Sequence, residues 1–304
     1  MLRVVYVRNS HAFNFRATGS GNREEGNFVR QSEHSTNSDH KSMDHSSTHC
    51  LDDTLALMRD LRARCEWDAA QTHESLRPYL IEEAHELDDA IRLGNDKLVR
   101  EELGDVLLQV LFHSVMAEER GAFSFADVAV GLITKMKARH PHLYGDAAKE
   151  PWERMKSKQR GSIADGLPAG LPALHRAHRL QDRAAGVGFD WPDVDGPAEK
   201  VEEELREVRT ELEQAPPPKH GSPRVFDERH YALEAELGDL LFAVVNLCRK
   251  AGVHAAIALD KANAKFERRF QQIEKMARER GIDVAHAGLE KLDSLWEEAK
   301  RSEA

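Results

Sequence analysis

The sequence predicts an all-α protein built from two copies of one helical module. Apolar residues recur at three- and four-residue steps along most of the chain from Leu51 onward, and few segments alternate with a period of two. The same succession of acidic motifs also occurs twice, which is the signature of internal repetition. The 304 residues leave room for two domains of ordinary size. We therefore expect tandem helical bundles.

The individual helices are predicted from apolar spacing and from the residues that end them. Leu55, Met58 and Leu61 lie at three-residue steps and place the first helix shortly after Leu51. Gly94 and Gly121 end the second and third helices as C-caps. The predicted helices after the first cover residues 76–93, 97–119, 125–139, 173–186, 197–214, 227–251, 255–280 and 288–302.

Composition divides the chain into four segments. Residues 1–50 are rich in Ser, Asn, His, Arg and Gly and predict a disordered N-terminal tail. Residues 146–173 are rich in Pro, Gly and charge and predict a linker. The first module is therefore expected at 51–145 and the second at 174–304.

Charge and hydropathy favour a cytoplasmic protein that binds neither membranes nor nucleic acid. The formal net charge of −10 disfavours nonspecific binding to nucleic acid, which requires clustered Lys and Arg. No apolar run approaches the roughly 20 residues of a membrane span, and the N-terminus lacks the apolar core of a secretory signal. The three cysteines are too few and too scattered for a disulfide framework.

Two acidic motifs and a basic pair occur in the same order in both halves. An EExxE motif lies at 82–86 and again at 203–207, and an ELGD motif follows at 102–105 and at 236–239. The connection between the acidic motifs is longer in the second copy, which we interpret as a loop insertion. The basic pairs, four residues apart, are Lys135 with Arg139 and Lys265 with Arg269.

The acidic motifs predict a metal site in each copy. Residues three and four apart share a helix face, so two antiparallel helices would bring four carboxylates together. Such a group is unfavourable without a cation, and Mg²⁺ prefers oxygen ligands and commonly binds substrate phosphates. Gly104 and Gly238 lie inside the helices and are expected to permit close helix approach. The carboxylates available for such a site are Glu83, Glu86, Glu102 and Asp105 in the first copy, with Glu82 nearby, and Glu203, Glu204, Glu207, Glu236 and Asp239 in the second.

Several further motifs resemble those of one known family. They are Cys65-Glu66-Trp67-Asp68 with Gln71-Thr72, Arg139-His140-Pro141-His142, Lys265-Phe266-Glu267-Arg268-Arg269-Phe270, and Leu295-Trp296-Glu297-Glu298-Ala299-Lys300. In this combination the chain from Leu51 to its C-terminus resembles the MazG family of nucleoside triphosphate pyrophosphohydrolases. The resemblance implies an all-α bundle that works as a homodimer, with active sites between helices. It also implies hydrolysis of NTPs to NMP and pyrophosphate with Mg²⁺, with Mn²⁺ as an alternative ion, and housecleaning of noncanonical nucleotides as a common role.

The resemblance implies that the metal ligands are Glu204, Glu207, Glu236 and Asp239 in the second copy and Glu83, Glu86, Glu102 and Asp105 in the first. It also assigns residues to the substrate. The implied phosphate and nucleotide contacts are Lys200, Lys265, Arg269 and Trp296 in the second copy and Lys135 and Arg139 in the first. We expect Glu203, or Glu82 in the first copy, to position and deprotonate the attacking water. The sequence departs from the family pattern just upstream of Glu236, where Ala232 and Ala235 leave no basic side chain to contact a phosphate.

Two other interpretations remain open from sequence. A di-iron carboxylate bundle would use ExxH motifs, and Glu82 with His85 forms one, but the second copy has Arg206 at the matching position. A non-catalytic helical scaffold or nucleotide sensor would share the fold without turnover. The chain contains no GxxxxGK[ST] motif, which excludes a P-loop NTPase.

Overall fold

The computed structural model describes residues 50–145, 153, 156, 160–214 and 227–303. These residues form helices and no strand, which confirms the all-α prediction. The 1–49 segment, predicted as a disordered tail, lies outside the described residues, and so does much of the predicted linker. The α-helices are α1 Cys50–Arg64, α2 Glu66–Ala70, α3 Arg77–Leu93, α4 Asp96–Glu119, α5 Phe125–Ala138, α6 Pro141–Tyr144, α7 Ala173–Gly186, α8 Asp195–Gln214, α9 Glu228–Lys250, α10 Ala255–Glu279 and α11 Leu289–Ser302.

The chain divides into two compact units, Met1–Gln71 and Thr72–Ala304. The described part of the first unit contains α1 and α2. The Arg62 guanidinium connects these helices by donating from Nη1 to the carbonyl oxygens of Ala69 at 3.2 Å and Gln71 at 3.0 Å. All the elements discussed below belong to the second unit.

Helices α3 and α4 form a tight hairpin with a two-residue connection. Gly94 ends α3 with φ of 64°, a left-handed conformation that glycine adopts without steric cost. Asn95 then caps α4, because its side chain accepts hydrogen bonds from the backbone N–H groups of Lys97 and Leu98. Toward its C-terminal end α4 is the most buried helix of this half, with Leu111 fully inaccessible. The hairpin therefore holds the two acidic motifs of the first copy side by side.

Helices α8 and α9 make the equivalent pair in the second copy. Asp227 caps α9 by accepting a hydrogen bond from the His230 N–H at 3.0 Å. On its other side α9 contacts α7, where the buried Gln181 donates from Nε2 to the Phe242 carbonyl at 2.8 Å.

Helices α10 and α11 close the C-terminal end around an apolar core. The buried members of this core are Ile273, Met276, Ala277, Leu295 and Ala299. Trp296 is partly buried against them.

The acidic helices also carry exposed apolar side chains. Leu103, Leu107 and Val110 on α4 are exposed, and so are Leu237 and Leu241 on α9. Large apolar side chains exposed on one helix face are typical of a surface that another protein covers.

The glycines of the ELGD motifs correct one sequence expectation. A Cβ built on Gly104 or Gly238 would have no atom of the described protein within 4 Å apart from its chain neighbours and the backbone of its own helix. The close helix approach expected at these glycines therefore does not occur within the described chain.

No single helix among the described residues is both long enough and apolar enough to cross a bilayer.

Candidate metal centre

The first acidic cluster lies between α3 and α4. Glu83 and Glu86 from α3 and Glu102 from α4 each offer a carboxylate oxygen, and the three oxygens lie within 4.8 Å of one another. All three side chains are half-buried. Asp105, the fourth predicted ligand, lies one turn further along α4. Burial raises the pKa of Asp105, and the charges of Glu86 and Glu101 raise it further.

The second cluster repeats this geometry between α8 and α9. The oxygens of Glu204, Glu207 and Glu236 also lie within 4.8 Å of one another. Glu204 is 5 % exposed and is the only carboxylate among the buried polar side chains described. Burial raises the pKa of Glu207, and the neighbouring Glu204 and Glu236 act in the same direction.

Lys200 lies against the second cluster. Its Nζ is 2.6 Å from Glu204 Oε1 and 3.0 Å from Glu203 Oε1. The spacings i,i+4 and i,i+3 along α8 place the ammonium on the face that carries both carboxylates. The hydrogen bonds to Glu204 and Glu203 raise the pKa of Lys200, so the ammonium stays charged.

The structure brings together three of the four predicted ligands in each copy. Asp105 and Asp239 lie outside the sets of oxygens within 4.8 Å of one another. Of the residues predicted to activate water, Glu203 accepts a hydrogen bond from Lys200, and Glu82 is half-buried on α3 next to Glu83. Carboxylate oxygens alone make up each cluster, and such a donor set fits a hard divalent cation such as Mg²⁺.

The other predicted substrate residues of the second copy, Lys265, Arg269 and Trp296, lie on α10 and α11. The Arg269 guanidinium lies over the Trp296 ring, 5.6 Å from its centroid, and its Nε donates to Glu303 Oε2 at 2.8 Å. Phe266 packs against the same tryptophan, with ring centroids 5.3 Å apart. Lys265 is exposed on α10.

The basic pair of the first copy lies at the end of α5. Lys135 is exposed in the last turn, and Arg139 follows the helix with its backbone N–H donated to the Lys135 carbonyl at 3.2 Å. Burial lowers the pKa of Lys156, and the positive charge of Arg139 contributes to this effect.

The di-iron alternative receives no support from the described residues. His85, which that alternative requires, is exposed, and both carboxylate clusters lack a histidine.

Two histidine groups were not anticipated from sequence. His73 Nδ1 lies 2.8 Å from His113 Nδ1, and the rings of His175 and His178 each lie 4.3 Å from that of His254. The sequence gives one relevant signal, the three-residue spacing of His175 and His178 on a helix.

Comparison with known proteins finds the same family domain in each half of the chain. The family model for the MazG nucleotide pyrophosphohydrolase domain matches the chain twice, at residues 71–144 and 197–274. Each matched segment contains one complete cluster.

Two similar proteins align with more than four fifths of this chain, and a third aligns with about half of it. The nucleoside triphosphate pyrophosphohydrolase/pyrophosphatase MazG of Thermotoga maritima is 44 % identical over 260 residues, covering 82 % of this chain and 95 % of that protein. The nucleoside triphosphate pyrophosphohydrolase of Escherichia coli strain K12 is 41 % identical over 268 residues, covering 83 % and 98 %. A protein of the same name from Mycolicibacterium smegmatis is 42 % identical over 171 residues, covering 52 % and 51 %.

The two domain matches and the similarity over more than four fifths of the chain confirm the predicted family. They also confirm the predicted class of enzyme, a hydrolase acting on phosphoanhydride bonds. The chain, with its two carboxylate clusters on paired helices, belongs to the MazG family.

Proposed function

We propose that this protein hydrolyses nucleoside triphosphates to nucleoside monophosphates and pyrophosphate, with Mg²⁺ held by the carboxylate clusters. The observation that carries this proposal is the convergence of three carboxylate oxygens within 4.8 Å, repeated in both copies. The names of the relatives, nucleoside triphosphate pyrophosphohydrolases, support the same substrate and the same bond.

The residues of the second cluster would hold the ion on two rigid helices. Glu204, Glu207 and Glu236 supply the converging oxygens, and Asp239 on the next turn of α9 completes the proposed ligand set. A divalent ion bound there would polarise the phosphate oxygens and make a coordinated water easier to deprotonate. The first cluster offers Glu83, Glu86, Glu102 and Asp105 in the same way.

The remaining proposed roles concern water and the leaving group. Glu203 lies next to the cluster on α8, and we assign it the orientation and deprotonation of the attacking water, with Glu82 in that role in the first copy. Lys200, Lys265 and Arg269 would neutralise the charge that develops on pyrophosphate, the main task in phosphoryl transfer. Trp296 would contact the nucleotide, and Lys135 with Arg139 would serve the first copy.

Product identity and directed variants test this proposal. A panel of NTPs and dNTPs is incubated with the enzyme and Mg²⁺, and products are identified by ³¹P NMR. We expect pyrophosphate and monophosphate, whereas nucleoside diphosphate with orthophosphate would contradict attack at the α-phosphorus. Glu86→Gln and Glu207→Gln, made separately, show which copy turns over, and Glu234→Gln on α9 is the matched control.

The assembly and the domain limits are part of the same proposal. The exposed apolar residues on α4 and α9, together with the open space at Gly104 and Gly238, support a homodimer in which a second chain covers these faces. Light scattering on the purified protein tests this directly. The module limits 51–145 and 174–304, housecleaning of noncanonical nucleotides and a cytoplasmic location remain predictions.

A further inference from the structure

We propose that Lys200 is an exchangeable counterion of the second cluster. It neutralises Glu204 while no divalent ion is bound, and it transfers to the triphosphate once the ion occupies the carboxylates. This inference rests on the proposed function and adds an order of events to it.

Burial makes one partner of this ion pair fixed and the other mobile. The Glu204 side chain is 6 % exposed, so its charge is largely removed from water and requires a cation in contact. The Lys200 side chain is 39 % exposed and ends a flexible four-carbon stem. Lys200 can therefore leave the pair by rotating toward solvent, whereas Glu204 cannot.

Glu204 cannot bind Lys200 and a divalent ion at the same time without repulsion between the two cations. Nζ of Lys200 is 2.6 Å from the Glu204 oxygen, and an ion bound to that carboxylate would lie about 2.1 Å from its oxygen. The two positive centres would then be only about 5 Å apart. At this separation, Coulomb repulsion from the ammonium weakens binding of the dication by on the order of tenfold, even in water.

One ammonium does not balance the cluster by itself. Three carboxylates, from Glu204, Glu207 and Glu236, bring oxygens within 4.8 Å of one another, and Lys200 supplies one positive charge against them. The cluster therefore retains negative charge that a dication neutralises better than Lys200 does.

The exchange couples metal binding to nucleotide binding. An ammonium released from Glu204 keeps only the exposed Glu203 as a partner, and it gains a more highly charged one when a triphosphate lies nearby. Each ligand should therefore tighten the binding of the other. In the first copy, Tyr79 lies at the equivalent position, four residues before Glu83. The lysine–carboxylate pair is therefore not repeated there.

Mn²⁺ titration of the full-length protein tests the proposal without measuring activity. Glu86→Gln with Glu102→Gln removes the first cluster, and free Mn²⁺ is followed by EPR in the absence of nucleotide. Adding Lys200→Met should tighten Mn²⁺ binding by about tenfold, because the competing ammonium is gone. If Lys200→Met does not fold, Lys200→Gln is used in its place, and we expect the same tightening of Mn²⁺ binding.

Two controls fix the interpretation. Lys291→Met removes an exposed charge on α11 and Lys200→Arg keeps the charge in place, so both should bind Mn²⁺ within about twofold of the parent. With a nucleotide whose α–β bridge is methylene, Mn²⁺ affinity should rise in the parent and rise less in Lys200→Met.

Each outcome decides something specific. Equal or weaker Mn²⁺ binding by folded Lys200→Met would overturn the exchange and leave the proposed function standing. A parent that binds no Mn²⁺ at its second cluster would overturn both.

Discussion

Removing one negative charge from the second cluster should stabilise the metal-free protein. Glu236 on α9 faces Glu204 across the helix pair, with oxygens within 4.8 Å. The change Glu236→Gln keeps the shape of the side chain and removes its charge. In the absence of a cation, the folded state is then relieved of a repulsion that the unfolded chain hardly experiences.

The size of the gain follows from the distance. Two unit charges at 4.8 Å repel by about 0.9 kcal/mol in water and by about 3.5 kcal/mol at an effective dielectric constant of 20. Glu236 is half-buried and Lys200 already neutralises part of the Glu204 charge, so the lower part of this range applies. We expect Glu236→Gln to raise the free energy of unfolding by about 1–2 kcal/mol in EDTA.

With Mg²⁺ bound, the parent should become more stable than Glu236→Gln. The protein with an intact second cluster gains about 2.7 kcal/mol when free Mg²⁺ is a hundredfold above the dissociation constant, and Glu236→Gln should gain much less. Urea unfolding followed by circular dichroism, with and without Mg²⁺, measures both effects in the background that lacks the first cluster. Glu234→Gln, exposed on the same helix, is the control. A Glu236→Gln protein that is less stable than its parent in EDTA would refute the reasoning.

Three further predictions concern other parts of the second copy. Ile273→Ala, at 1 % exposure in the α10–α11 core, should cost about 3 kcal/mol in urea unfolding, and a loss below about 1 kcal/mol would contradict close packing there. Burial lowers the pKa of His178 and His254 below the ordinary value of 6.5. As the pH falls, these histidines are therefore protonated in the unfolded chain before they are protonated in the folded one, and the folded protein loses stability below about pH 6.5. Unfolding midpoints at pH 7.5 and 5.5 should show this loss of stability, and His254→Asn should reduce it. If His254→Asn leaves the pH dependence unchanged, the histidine group is not its cause. Glu303→Gln frees Arg269 from its ion pair and should lower KM for NTP without changing kcat, whereas Arg269→Ala should raise KM.

Local chemistry accounts for the parts that were predictable. Helix ends agree within about two residues because glycine and asparagine caps act on their immediate neighbours, as Gly94 and Asn95 show. The convergence of Glu83 and Glu86 follows from helical spacing alone. Pairing of the acidic helices was expected because the motifs repeat and their carboxylates converge only if the two helices pack antiparallel.

Long-range packing explains what the sequence did not show. His73 and His113 are separated by 40 positions in the chain, and their contact depends on how the segment before α3 lies against α4. The pairing of Lys200 with Glu204 depends on a side-chain rotamer, which spacing allows but does not select. The open space at Gly104 likewise depends on what lies beyond the helix surface.

The two-residue turn at Gly94 and Asn95 has a consequence for the order of folding during synthesis. The first hairpin closes a minimal loop, whereas the connection from Gln214 to Glu228 must close 13 residues, at an extra entropic cost of about 1.7 kcal/mol. The N-terminal hairpin also leaves the ribosome earlier. A nascent chain that has emerged only through α4 should therefore already contain one complete set of converging acidic side chains.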